Sequence, residues 1–120
     1  MKLLIFADLH YFGGDISTAR FDPEKKQVRY ALPMLEHVMK ACDADVCVNL
    51  GDLIQDDYDK QRDLEVFARI HARLAHFPCP CYSILGNHEL KMMDRIEDME
   101  AMLGHKATYS LDLHGYHFVF

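Results

Sequence analysis

Three short polar clusters carry the residue types that could do chemistry, and each directly follows an apolar run. Asp8-Leu9-His10 comes after residues 3–7, Gly51-Asp52 after 45–50, and Gly86-Asn87-His88-Glu89 after 81–85. Carboxylate, imidazole and amide oxygen are ligands suited to Mn, Fe, Zn or Ni, whereas calcium favours more oxygens. In an Asp-x-His extended past a strand end, both side chains point to one side because strand periodicity is two. Asp8 and His10 are therefore expected to act as a chelating pair. A carboxylate such as Asp52 can bridge two metals ~3.5–4 Å apart, the spacing that suits phosphoryl hydrolysis. Such a pair lowers the pKa of a bridging water and clamps the phosphate oxygens. His88 is then free to hydrogen-bond or protonate the ester oxygen. The glycines let the backbone turn sharply and come close to the metals.

The elements that must position these clusters follow from hydrophobic spacing. The runs at 3–7, 45–50 and 81–85 read as buried strands. Residues 11–23 are loop-like, with Gly13, Gly14, Asp15, Asp22 and Pro23. Val28, Ala31, Leu32, Leu35, Val38 and Met39 predict a helix over 24–41, with Pro33 either kinking it or marking its first turn. Leu64, Phe67, Ala68, His71, Leu74 and Ala75 predict a second helix, ended by Phe77-Pro78-Cys79-Pro80. Asp94 with Glu97 resembles a capping box before Met99, Met102 and Leu103, so a third helix is expected there. Residues 107–113 and 116–120 read as strands joined through His114-Gly115. The order is βαβαβαββ, which implies an α/β fold with a mostly parallel sheet and right-handed crossovers. All three clusters then lie past carboxyl ends of strands, where open α/β sheets bind ligands.

Composition narrows the partners. The 120 residues are 50% hydrophobic and 27% charged, enough for one small core. The formal net charge is −6 and no basic stripe is visible, which argues against a nucleic-acid binder. An acidic protein that acts on phosphate must attract it by other means, and bound divalent metal is the obvious one. The four cysteines, Cys42, Cys47, Cys79 and Cys81, form no C-x-x-C pair and read as small buried hydrophobes rather than a disulfide or zinc site. The amino-terminal apolar stretch is too short for a signal peptide, and no stretch reaches membrane-spanning length. The chain is expected to be cytoplasmic with reduced thiols.

Asp8-x-His10, Gly51-Asp52 and Gly86-Asn87-His88-Glu89, in this order after these strands, resemble the first three motifs of the calcineurin-like metallophosphoesterase superfamily. The resemblance runs from about residue 3 to residue 89, with the strand pair at 107–120 also similar. It implies the amino-terminal half of a four-layer α/β/β/α sandwich. It also implies that Asp8 and His10 bind a first metal, that Asp52 bridges, that Asn87 binds the second, and that His88 contacts the phosphate near the leaving group. The activity implied is metal-dependent hydrolysis of a phosphodiester or nucleotide phosphate by a two-metal-activated water. Arg29-Tyr30-Ala31-Leu32 is similar to the small phosphodiesterase and nucleotide-pyrophosphatase branches. Family members usually run to twice this length and supply a later lone histidine and a Gly-His-x-His motif, neither of which is recognisable here. The expectation is therefore one partial domain over 1–120, with one metal site or none filled. A half-sandwich leaves an apolar sheet face and an unpaired edge, so dimerisation is expected as well. The alternative reading is a non-catalytic metal-binding or interaction fragment of such an enzyme.

The remaining polar residues read more plainly. His114 and His117 flank the hairpin turn and are not expected to be ligands, and His37, His71, His76 and His105 are assigned to structural roles. Met92, Met93, Met99 and Met102 read as packing. Asp56, Asp57 and Asp59 read as a solvated loop.

Overall fold

The computed structural model describes residues 1–22 and 26–120. Three strands, β1 (Leu3–Phe6), β2 (Val46–Asn49) and β3 (Cys81–Ser83), form a parallel sheet in the order β1-β2-β3. Leu3 pairs with Val46 and Cys47 with Cys81, so the strands end level and their carboxyl ends form one rim. Helices alternate with these strands, as expected for a metallophosphoesterase α/β fold. β2 is buried along its whole length, which is why Val46-Cys47-Val48 is an unbroken apolar run. β1 alternates instead. Leu4 and Phe6 pack on the core, while Leu3 and Ile5 on the opposite face are 41% and 55% exposed.

The first helix is shorter than its periodicity suggested. α1 spans Ala31–Ala41, and a 3-10 segment, Lys26–Tyr30, precedes it. Glu24 and Lys25, the start of the expected helix, lie outside the described residues. Pro33 falls in the first turn of α1, where a missing N–H removes no helical hydrogen bond. α2 (Lys60–Leu74) is capped by the Asp59 carboxylate, which accepts the Arg62 N–H at 3.2 Å. Val66, Phe67, Ile70 and Leu74 form its buried stripe. That stripe meets Leu35 of α1, Cys47, Leu53, Ile54, Phe77, Met92 and Met99 in the main core. Each fully buried side chain of this size contributes about 1.5–3 kcal/mol.

After β3 come a four-residue helix absent from the expected order, α3 (Asn87–Leu90), and then α4 (Ile96–Leu103). The capping box proposed from Asp94 and Glu97 does not form. Arg95 is the N-cap, without a side-chain bond, because the Asp94 carboxylate is taken by the Lys60 ammonium. The hairpin β4 (Ser110–Leu113) to β5 (Tyr116–Val119) turns at His114 and Gly115, both left-handed (φ 51° and 82°), the backbone of a tight hairpin turn. It docks on β3 through Tyr109, whose hydroxyl donates to the Ser83 carbonyl at 2.9 Å and whose ring stacks on Phe120. No helix among the described residues is long and apolar enough to cross a membrane.

Candidate metal centre

The chain leaves β1 by continuing beside the segment that leaves β2. Asp8 N–H donates to the Gly51 carbonyl at 3.1 Å, His10 N–H to that of Asp52 at 3.0 Å, and Tyr11 N–H to that of Leu53 at 2.9 Å. Along this stretch Asp8, His10 and Asp52 all take left-handed backbone, at φ 54°, 50° and 51°. Non-glycine residues seldom adopt it, and such strain collects at functional sites. The Asp8 carboxylate and His10 Nε2 lie 3.6 Å apart. Strand alternation does not produce this proximity, as the spacing had suggested. Two left-handed residues in an irregular turn bring the side chains together.

The third cluster closes against the second through a pair of glycines. A methyl group on Gly51 would lie 2.4 Å from the Gly86 nitrogen, and one on Gly86 would lie 2.1 Å from Asp52 Oδ1. Across this contact the His88 N–H donates to Asp52 Oδ1 at 2.9 Å. Glu89, almost fully buried, binds both loops. Its carboxylate accepts the N–H groups of Asp52 (2.8 Å), Leu53 (2.7 Å), Ile54 (3.2 Å) and Gly86 (2.8 Å). Four converging N–H dipoles balance the negative charge of a carboxylate held away from water.

His10, Asp52 and His88 converge. They offer ligand atoms that all lie within 4.8 Å of one another. The His10 and His88 rings meet edge to face, centroids 4.7 Å apart. Asp8 sits at the exposed edge beside His10, and Asn87 lies exposed at the first position of α3, outside the His-Asp-His group. Among the described residues, His10 Nδ1 is the buried side-chain nitrogen with no hydrogen-bond partner. An orphaned imidazole nitrogen beside a carboxylate and a second imidazole fits a divalent transition metal, which would satisfy that nitrogen.

Two residues of this centre were not assigned a role from sequence. The first is Asp56, buried and paired with His88 Nδ1, with the Lys91 ammonium 3.5 Å away. The acidic run is thus no solvated loop. Asp56 and Asp57 are both buried, because each has a partner to satisfy it. Asp57 accepts from the Arg20 N–H and forms a 2.9 Å ion pair with Arg62, and its own N–H donates to the Asp63 carboxylate. Burial, opposed by these backbone hydrogen bonds, pushes the Asp63 carboxyl above its ordinary value. A signal for burial was available in the opposite charge of Arg62, five residues beyond Asp57. The second missed residue is Glu89, whose place three residues after Gly86 matches the acidic position of a capping box.

A family model for calcineurin-like phosphoesterases matches residues 1–119. No curated protein matches the chain.

Proposed function

The chain belongs to the calcineurin-like phosphoesterase family, and from that membership we propose that it hydrolyses a phosphodiester or nucleotide phosphate with two divalent metals. The observation that carries this reading is the convergence of His10, Asp52 and His88 at the carboxyl rim of the sheet, with one imidazole nitrogen left unsatisfied. In this reading Asp8 and His10 would hold a first metal, Asp52 would be shared by both, and Asn87 would serve the second. When bound, the metals supply the positive charge that draws in a phosphate ester and lowers the pKa of a water nucleophile.

The protein's own groups do the rest. Glu89 holds the Asp52 and Gly86 backbones in one arrangement, so the site is positioned before substrate arrives. Asp56 engages His88 Nδ1, which leaves Nε2 as the nitrogen able to hold a proton at the ester oxygen. Asp8 and Asn87, both exposed, leave this rim accessible from solvent.

The test is metal-dependent hydrolysis of bis(p-nitrophenyl) phosphate by the full chain with Mn, Fe, Zn or Ni, compared with Asp52→Asn. Turnover that Asp52→Asn abolishes is expected. Failure to take up any of these metals would overturn the reading. Metal uptake with no turnover on a panel of phosphate esters favours the second reading, a metal-binding module without catalysis. We also propose that the exposed Leu3 and Ile5 face of β1 supports self-association, and a monodisperse monomer in light scattering would exclude it.

A further inference from the structure

The amino ends of the strands, opposite the metal rim, carry a second cluster of reactive side chains. Cys42 ends α1 and Cys79 lies just before β3, and their sulfurs are 4.0 Å apart. Both are partly exposed free thiols. Neither sits inside a helix or strand. Cys42 is the C-cap of α1 in extended conformation, and Cys79 stands between Pro78 and Pro80. Closure to a bonded pair at about 2.05 Å needs the sulfurs to approach by about 2 Å, at two segment ends that lie outside helix and strand. The neighbouring pair is different. Cys47 faces Cys81 across the β2–β3 register but is completely buried, so no oxidant reaches it in the folded chain.

We propose that Cys42 and Cys79 are an oxidative modification site, a dithiol that closes to an intrachain disulfide by exchange with a low-molecular-weight disulfide such as oxidised glutathione. The Cys42 thiolate attacks one glutathione sulfur and expels the first glutathione thiolate. Cys79 then gives its proton to solvent and attacks the Cys42 sulfur of the mixed disulfide, expelling the second. Two protein thiols are oxidised by two electrons, and one glutathione disulfide is reduced to two thiols. Burial, and then the contact with Cys42, push the Cys79 thiol up to about 11, which suits it to the second, intramolecular step rather than the first. The bond ties the end of α1 to the entry of β3 and closes the long loop that contains β2 and α2. It restrains the unfolded chain without touching the metal rim.

The experiment incubates the reduced full chain with a glutathione redox series, blocks the remaining thiols, and maps linked peptides by mass spectrometry. A Cys42–Cys79 linked peptide is expected, together with a Tm raised by roughly 5–10 °C and reversed by dithiothreitol. Cys42→Ser and Cys79→Ser, each checked for folding by circular dichroism, should abolish both the link and the shift, while Cys81→Ser retains them. Glutathione adducts alone, a link that involves Cys47 or Cys81, or a link with no change in Tm would each overturn the proposal.

Discussion

Glu89 and Asp52 are joined through the backbone. The Glu89 carboxylate accepts the Asp52 N–H at 2.8 Å, and the same two oxygens hold the N–H groups of Leu53, Ile54 and Gly86. One acid thus fixes the relative position of two loops that lie more than thirty residues apart in sequence. Glu89→Ala leaves these donors without an acceptor and is expected to cost about 3 kcal/mol. Glu89→Gln keeps one acceptor oxygen but turns an NH2 group toward the donors, so its loss is expected to be smaller. Urea denaturation of the three proteins, followed by tryptophan-independent circular dichroism, checks the order.

The contact between Gly51 and Gly86 makes a sharper prediction. A Cβ at Gly86 meets the Asp52 carboxylate and the Asp52 nitrogen, at 2.1 and 2.3 Å, and the nitrogen belongs to backbone already fixed by Glu89. Gly86→Ala is expected to displace Asp52 and to weaken Mn or Zn binding at least tenfold by calorimetry. Gly104→Ala is the control. It also has positive φ (75°), but nothing lies within 4 Å of the added methyl, so it should cost only about 1 kcal/mol and leave metal binding intact.

Asp56 pairs with His88 Nδ1 but is not itself one of the converging residues His10, Asp52 and His88. Asp56→Asn preserves size and removes the charge. Because Asp56 sets which His88 nitrogen faces the ester, a loss of about 10–100-fold in turnover is expected, by analogy with carboxylates that orient imidazoles in metal sites. The measurement is the pH–rate profile alongside metal titration. An unchanged profile and an unchanged affinity would rule out this role.

His71 sets a limit at acidic pH. Burial, with repulsion from His105 second, holds its imidazole below the ordinary value of 6.5. The unfolded chain therefore takes up this proton more readily than the folded one. Stability is intact above pH 6.5 and declines as pH falls through the lower folded value. His71→Gln removes this contribution, so its Tm should change less than that of the parent between neutral and mildly acidic pH in scanning calorimetry.

Much of the frame was legible in the chain because it depends on local pattern. The apolar runs at β1, β2 and β3, the α2 stripe and the His114-Gly115 turn all follow from periodicity or turn chemistry. What the pattern did not reveal depends on long-range partners. Asp56 and Asp57 look like exposed acids until His88 and Arg62 are brought beside them. Asp94 looks like a cap until Lys60 claims it. The closeness of Asp8 and His10 was anticipated, but from strand alternation rather than the left-handed turn that produces it.

That turn also narrows which amino acids the site can accept. Asp8, His10 and Asp52 each adopt a mirror-like backbone, and in the proposed reading each would also present a coordinating atom. Asp, Asn and His are the short polar residues that visit this conformation most readily. Selection for backbone shape and selection for ligand chemistry therefore draw on the same small alphabet. A glutamate at position 8 or 52 would keep the carboxylate yet lose on conformation, whereas asparagine keeps the backbone shape and loses the charge, which is why Asp52→Asn tests the chemistry without disturbing the turn.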